Sequence, residues 1–522
     1  MRSMHRSDWA DLLLLAALIF GAFVRFNPSL SSDFVIKQGG MFAVMIDDLR
    51  ENHYLIPEYT SYNGLNIPYA YPPVGFYSGA IVADLLGLSS NQVLRWLPAL
   101  FASLSVLAFY YLADRLMKDK YHAAVATLFF SLLPRAFSWF VTGSGLTRSP
   151  GQLFMLLTLA AVVRVYQEKR QRDLFWAGVF GGLTVMSHPE AALHAAVSAV
   201  FLWIMLSRSR AGFVNSVGIA LIVLLVAAPW WVTVIYQHGA APLLSAVQTG
   251  QKSSAILNLL FFSFTEEPYS TLIAVLGLVG LAYSILHKEY LLPLWLVLPF
   301  IVEGRSAAGP AAIPLALLAA IGLLDVILPS LLTIHPKNLQ QLDDKVPAIE
   351  FSLLVYVVLY GVFSAYQFGL QLPNTSVLSS DREAMSWIRK NTPENARFLV
   401  LTGTSSVSCD STLEWFPALT DRQSLFTVQG TEWTKGSSFG AFVTSTYAVQ
   451  KCLSADHISC LDAAVDRSQY EYIYLTKRFN PCSLLDAQLR FPLFLESIEA
   501  DSRFAAVYET AEIVVFENLP PD

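Results

Sequence analysis

The run Val74-Gly-Phe-Tyr-Ser-Gly-Ala-Ile-Val-Ala-Asp-Leu-Leu-Gly-Leu88 is apolar but short, and whether it crosses a membrane sets the sidedness of everything after it. Longer apolar runs surround it, near 9 to 26, 93 to 112, 122 to 141, 150 to 166, 174 to 187, 190 to 206, 213 to 235, 269 to 286, 290 to 303, 310 to 330 and 349 to 370. A bilayer core of roughly 30 Å takes about 20 helical residues. The runs predict a polytopic α-helical membrane protein with about 11 transmembrane helices. Composition agrees: 14% of the 522 residues are charged and mean hydropathy is +0.48, whereas soluble domains carry about 25% charge. A net charge of -6 with no basic patch leaves no support for a nucleic-acid partner.

Charge settles the short run. If residues 74 to 88 do not cross, one set of loops holds Arg2, Arg6, Arg115, Lys118, Lys120, Lys169, Arg170, Arg172, Arg208, Arg210, Lys288, Lys337 and Lys345. The opposite, longer set holds only Lys37, Arg50, Arg148, Lys252 and Arg305. Basic residues concentrate on the cytoplasmic side, so the amino terminus is expected in the cytoplasm and everything after residue 370 outside it. The chain is read as multi-pass in the cell membrane and surrounded by lipid. The first run has a basic leader but no small-x-small cleavage site, and Arg25-Phe26-Asn27 looks like its exit, so it reads as an uncleaved helix.

Residues 1 to 376 form the expected transmembrane domain, with a first external loop over 27 to 92. Residues 377 to 522 are expected to be a C-terminal extracytoplasmic α/β domain. There, a helical pattern from Asp381 ends at Asn391-Thr392-Pro393, strand-like runs occupy Phe398 to Leu401, Tyr472 to Leu475 and Ile513 to Phe516, and helical stretches lie near 441 to 452 and 484 to 497. All four cysteines, Cys409, Cys452, Cys460 and Cys482, fall in this part. An even count outside the cytoplasm suggests two disulfides with Cys452 and Cys460 as a local pair, the alternative being free thiols in a core.

The chemistry-bearing residues share the external face. In the first loop, Phe42, Met45, Ile46 and Leu49 fall on one side of a helix over 41 to 51 and Asp47, Asp48 and Glu51 on the other. Such a helix is expected in the interface plane with its acids toward water. Asp33 stands alone after Ser31-Ser32, and reads either as a general base for an acceptor hydroxyl or amine or as a loop cap. Arg148, between spans three and four, suits a phosphate held by paired hydrogen bonds. His188 and Glu190 lie in the tight turn between spans five and six, Glu266 closes the loop before span eight, and Arg305 tops span nine. Each reads singly as an interfacial anchor, but polar groups converging on one face mark function. There is no Walker loop, no His-Glu-x-x-His and no Gly-x-Ser-x-Gly.

Tyr71-Pro-Pro-Val-Gly-Phe-Tyr77, Leu85-Leu-Gly-Leu-Ser89, Arg95 and Tyr110-Tyr-Leu-Ala-Asp-Arg115 together resemble the opening module of GT-C fold glycosyltransferases. These include the protein O-mannosyltransferases, the lipid A aminoarabinose transferases and the catalytic subunit of oligosaccharyltransferase. Asp381-Arg-Glu-Ala-Met-Ser-Trp-Ile-Arg-Lys-Asn-Thr-Pro393 looks like the start of their soluble domain. The resemblance implies transfer of a sugar from a polyprenyl-phosphate donor to an extracytoplasmic glycan, lipid or protein acceptor, with inversion. It implies Asp33 as base, Arg305 and Arg148 on the donor phosphate, and Asp48, Glu51, His188, Glu190 or Glu266 about the acceptor.

No cofactor is implied. Family members often hold a metal-binding acid in the second external loop, where this chain reads Leu146-Thr147-Arg148, so a divalent metal is not favoured. The alternative is a non-catalytic membrane protein on the same scaffold, a lipid or polymer carrier or an assembly subunit.

Overall fold

The computed structural model describes residues 6–248, 255–333, 348–407, 409–479 and 483–520. Arg2, Lys252, Lys337, Lys345 and Cys482 of the readings above lie outside them.

The chain opens with α1 (Arg6–Leu30) and passes through α2 (Gly40–Glu51), a minimal hairpin of β1 (Tyr59–Thr60) and β2 (Ile67–Pro68), and α3 (Val74–Leu86). It then builds α4 (Ser90–Leu116), α5 (Lys120–Leu132), α6 (Gly145–Glu168), α7 (Gln171–Val185), α8 (Pro189–Leu206) and α9 (Arg210–His238). The short α10 (Ala241–Gln248) and α11 (Ala255–Leu260) precede α12 (Leu272–Leu286), α13 (Leu291–Val302), α14 (Ala308–Ile321), α15 (Leu328–Thr333) and α16 (Ala348–Gly369). A helix occupies each of the eleven apolar runs. Seven helices among the described residues are long and apolar enough to cross a membrane, or eight if α12 and α13, bent by 119° at their junction, form one span. The chain is a multi-pass membrane protein.

Residues 74 to 88 give only α3. Its 13 residues rise about 20 Å, short of a 30 Å core. Gly87 ends it in the left-handed conformation, at φ 64°, where a side chain is disfavoured. Ser89 and Gln92 then cap α4 reciprocally: each side chain accepts from the other's backbone N–H. A stop followed at once by a start turns the chain from α3 into the longer α4.

The first helix does not end at Arg25. It continues to Leu30, with Arg25 fully buried. Its guanidinium donates to the carbonyls of Gly21 (3.0 Å), Ala102 (3.0 Å) and Ser131 (2.6 Å) and lies 5.3 Å from the Phe137 ring. A buried cation without hydrogen bonds is costly; here backbone dipoles from α1, α4 and the last turn of α5 supply them.

The C-terminal part holds α17 (Ser379–Asn391), β3 (Arg397–Leu401), α18 (Ser411–Thr420), β4 (Gln423–Ser424), α19 (Glu432–Lys435), α20 (Phe439–Lys451), α21 (Ser459–Ala464), β5 (Tyr472–Thr476), α22 (Leu485–Glu499), β6 (Phe504–Glu509) and β7 (Ile513–Asn518). The sheet order is β4-β3-β5-β7-β6, with β3 parallel to β4 and β5, and β7 antiparallel to β5 and β6. Side chains alternate between the faces of a strand. Phe398, Val400, Tyr472, Tyr474, Ile513 and Val515 join a core with α2, α3 and α18, while Leu399, Leu401, Ile473, Leu475, Val514 and Phe516 pack with α20, α21 and α22. Burial on both faces explains why β3, β5 and β7 read as near-continuous apolar runs.

The helix over 41 to 51 therefore forms as its period predicts, and its apolar face meets protein. Phe42, Met45, Ile46 and Leu49 are buried against protein. Cys452 and Cys460 form a disulfide, and no described cysteine is free.

The first loop is also held to the bundle. Gly143 N–H donates to the Ile36 carbonyl at 2.9 Å, and a Cβ on Gly143 would lie 2.4 Å from the Gln38 carbonyl oxygen. Backbone has little room to yield. Gly143→Ala is expected to displace the 35 to 39 segment and lower stability by about 1–3 kcal/mol, measurable as a fall in the melting temperature of the purified protein.

Candidate functional site

The segment held by Gly143 leads into a cavity of about 530 Å³. Its floor is the ends of α6, α8 and α14, represented by Arg148, His188, Glu190, His194 and Arg305. The opposite wall is C-terminal: Ser406, Val407, Gln429, Glu432, Phe439 and Tyr447. Gln38 and Tyr71 of the first loop complete it. Gln38 Nε2 donates to the Val407 carbonyl at 2.9 Å, joining first loop to C-terminal wall.

Three cations gather about one indole. Lys37 Nζ lies 4.2 Å from the Trp139 ring centroid, and the guanidinium carbons of Arg148 and Arg135 lie 5.5 and 5.8 Å from it. An indole face attracts cations, which offsets part of their mutual repulsion. Arg135, from the turn Pro134–Ala136, is neutralised by Glu266 at 2.9 Å. Arg148, in the first turn of α6, donates to Ser144 Oγ at 2.8 Å. Among the described residues no carboxylate lies within ion-pair distance of Arg148 or Lys37. Burial lowers the Lys37 ammonium below its usual range; Glu266 opposes that, and Arg148 and Arg135 add to it. The arrangement is short of negative charge at a helix N-terminus, where backbone N–H groups also favour an anion.

The carboxylates of the cavity differ in commitment. Glu190 Oε2 is 3.3 Å from His188 Nε2, and Glu190 Oε1 is 3.7 Å from Arg305 Nε. Glu432, at the start of α19, has no ion-pair partner among the described residues. Burial pushes its carboxyl up to about 7, while the N–H groups of Glu432 itself and Gly430 and the Arg305 charge favour ionisation and Glu414 opposes it. Tyr71 stands between Phe42, Phe76 and Trp433 with ring centroids 5.1, 5.9 and 5.5 Å away; burial pushes its hydroxyl up to about 12.

Of the residues singled out from sequence, Arg148, His188, Glu190 and Arg305 line the cavity together. Glu266 stands just behind, on Arg135 and Ser138. Asp33 does not line it. Its side chain is 71% exposed and ion-paired with Arg382 of α17. Asp48 accepts from Thr60 Oγ1 (2.6 Å) and from Ser61 N (3.1 Å) and Oγ (2.6 Å), pinning the start of the hairpin to α2. Glu51 is exposed at the last residue of α2. Neither touches the cavity wall. Lys37, Tyr71 and Glu432 were not named as site residues, although Tyr71 opens the motif that carries the resemblance: each lies in a loop or a one-turn helix, where no periodicity marks a facing side. Among the described residues no three or more His, Cys, Asp or Glu side chains gather as a metal-binding set.

Residues 70–233 match the family model described as dolichyl-phosphate-mannose-protein mannosyltransferase. No curated protein sequence matches the chain. Among solved structures it is similar to the oligosaccharyltransferase AglB from Archaeoglobus fulgidus in complex with an inhibitory peptide and a dolichol-phosphate, at TM-score 0.59 and 14% identity, covering 98% of this chain and 74% of that one. It is similar to ArnT from Cupriavidus metallidurans bound to undecaprenyl phosphate, at TM-score 0.56 and 15% identity, covering 99% of this chain and 100% of that one. The mycobacterial arabinofuranosyltransferase AftD gives TM-score 0.59 at 15% identity, with 97% of this chain spanning 40% of that longer protein. The chain has the fold that the resemblance at residues 71 to 115 implies, the GT-C glycosyltransferase architecture.

Proposed function

We propose that the protein transfers a sugar from a polyprenyl-phosphate-linked donor to a glycan, lipid or protein acceptor at this cavity, on the extracytoplasmic side of the cell membrane. The observation that carries the reading is the pair Arg148 and Lys37 on one indole without a carboxylate partner among the described residues. Such a pair suits a phosphate, whose charge rises as the bond to the sugar breaks, and preorganised cations stabilise that change. The family model and the lipid phosphates bound in AglB and ArnT support the same class of ligand. Basic residues crowd the loops remote from the cavity, which supports a cytoplasmic amino terminus and an extracytoplasmic segment over 377 to 522.

Asp33, the base implied by the sequence resemblance, is not among the residues lining the cavity and pairs with Arg382. Asp33→Asn is expected to lose that exposed pair, worth on the order of 0–1 kcal/mol, and to keep turnover. A folded but inactive Asp33→Asn protein would return the base role to Asp33.

The test is a transfer assay on purified protein in nanodiscs, offering a panel of polyprenyl-phosphate sugars with glycan, lipid and peptide acceptors and following release of the lipid phosphate. Release that requires Arg148 supports the assignment. Silence with every donor and acceptor, in protein that melts cooperatively, would favour a non-catalytic carrier or assembly subunit.

A further inference from the structure

We infer that Glu432 is the catalytic base of this transfer, taking the proton of the acceptor's hydroxyl or amine inside the cavity. The inference rests on the proposed glycosyl transfer and deepens it.

Its first support is placement. Glu432 is a cavity-lining carboxylate from the C-terminal part of the chain, and the phosphate-side Arg148, from α6, lines the same space. The electrostatic field at the Tyr71 hydroxyl includes both, together with Glu190, so the three charges share one neighbourhood.

The second is availability. Of the two carboxylates lining the cavity among the described residues, Glu190 already serves His188 and Arg305. Glu432 has no cation within ion-pair distance among the described residues, although the Arg305 charge favours its ionised form, as do its own N–H and that of Gly430. A cavity-lining carboxylate not held in an ion pair is able to accept a proton.

The third is rigidity, which a base requires. Gly430 precedes it at φ 83°, and a Cβ there would meet Ile67 Cδ1 at 2.7 Å and Met41 Sδ at 3.1 Å. Thr431 Oγ1 donates to the Val428 carbonyl at 2.6 Å. Ser245 Oγ donates to the Glu432 carbonyl at 2.7 Å and accepts from Gly436 N–H at 2.7 Å, fastening both ends of α19 to α10. Trp433 is buried against Tyr71. The turn is built to hold one side chain still.

Its ionisation suits the role. The groups facing it are Arg305, the buried Glu414 and the hydroxyls of Tyr62 and Tyr71. With its carboxyl at about 7, the base is close to operating pH, where general-base efficiency is greatest. In the step, Glu432 takes the acceptor proton as the acceptor oxygen or nitrogen bonds to the anomeric carbon. The anomeric C–O bond to phosphate breaks on the opposite side, and its electron pair leaves on the phosphate oxygen beside Arg148. No other reactant is needed.

The experiment is kcat/KM against pH, from about 5 to 9, for full-length wild type, Glu432→Gln and Glu432→Asp in nanodiscs. Thermal stabilisation by undecaprenyl phosphate is measured alongside, as a reading of fold and phosphate site independent of turnover. Wild type is expected to lose activity about tenfold per pH unit below about 7. Glu432→Gln is expected to fall about 10²- to 10⁴-fold and to lose that acid limb, with undecaprenyl phosphate stabilisation retained. Glu432→Asp is expected to keep the limb at reduced rate, and it carries the test should the Gln variant fail to fold. A wild type with no acid limb, Glu432→Gln within threefold of wild type or slowed with the acid limb unmoved, or, where the Gln variant does not fold, Glu432→Asp matching wild type in rate, overturns Glu432 as base. A wild-type protein silent with every donor and acceptor overturns the proposed transfer itself, and the base assignment with it.

Discussion

Arg148→Ala is expected to reduce kcat/KM for sugar transfer by about 10²- to 10³-fold, the range seen when one preorganised donor to a developing anion is removed, without loss of thermal stability. Both halves follow from the same contacts. Arg148 has one hydroxyl partner, Ser144, and the indole it shares with Lys37 and Arg135. Removing it breaks little and relieves the like charge that, with Arg135, depresses Lys37. The folded protein loses a source of repulsion; the reaction loses the charge that meets the leaving phosphate. Arg148→Lys is expected to recover part of the rate, because it restores charge without the planar fork that grips two phosphate oxygens. Steady-state kinetics and melting curves of the three proteins, with and without undecaprenyl phosphate, test both claims. Unchanged kcat/KM in Arg148→Ala would remove the cluster as the phosphate site.

Much of this architecture was legible because it repeats along the chain. Period 3.6 fixed α2, and the apolar runs found a helix in every place expected. The three strands read from apolar runs are those buried on both faces; β4 has two residues and the exposed edge strand β6 is broken by an irregular register, so neither carries a run long enough to notice. Periodicity does not report who faces whom across the fold. Arg148, His188, Glu190 and Arg305 were found because they sit at helix ends, where an external loop exposes its charge. Glu432 sits in a one-turn helix whose position depends on Ser245, 187 residues away. Asp33 was attractive for its isolation in the sequence, which the fold cancels by setting Arg382 beside it across 349 residues. The apolar face of α2 was unreadable for the same reason: an amphipathic face names no partner, and here the partners are α3, α4 and the C-terminal α18.

That partnership predicts the largest loss of stability. Glu414→Ala is expected to destabilise the protein by several kcal/mol, because it strands three buried N–H groups and each left unsatisfied costs about 1–3 kcal/mol. Glu414 lies on α18, buried, with Oε2 accepting from Gly39 N and Gly40 N at 2.9 Å each and Oε1 from Met41 N at 3.0 Å. These are leading N–H groups of α2, which have no partner within the helix, and a carboxylate also meets the positive end of its dipole. No nearby side chain has room to replace it: a Cβ on Gly40 would already lie 2.9 Å from the Glu414 carbonyl oxygen. Glu414→Gln keeps the shape but offers one neutral oxygen and turns an amide N–H toward other N–H groups, so it is expected to rescue only part of the loss. The consequence reaches the cavity, because the next residue, Trp415, donates its Nε1–H to the Lys37 carbonyl at 2.9 Å. When α18 releases α2, it releases the turn that presents Lys37 and Gln38. Glu414→Ala should therefore lower melting temperature and transfer together, where Arg148→Ala lowers transfer alone. Loss of transfer in Glu414→Ala with an unchanged melting temperature would instead mean that this carboxylate acts directly on substrate, and that the buried contacts with Gly39, Gly40 and Met41 are not what holds the first loop.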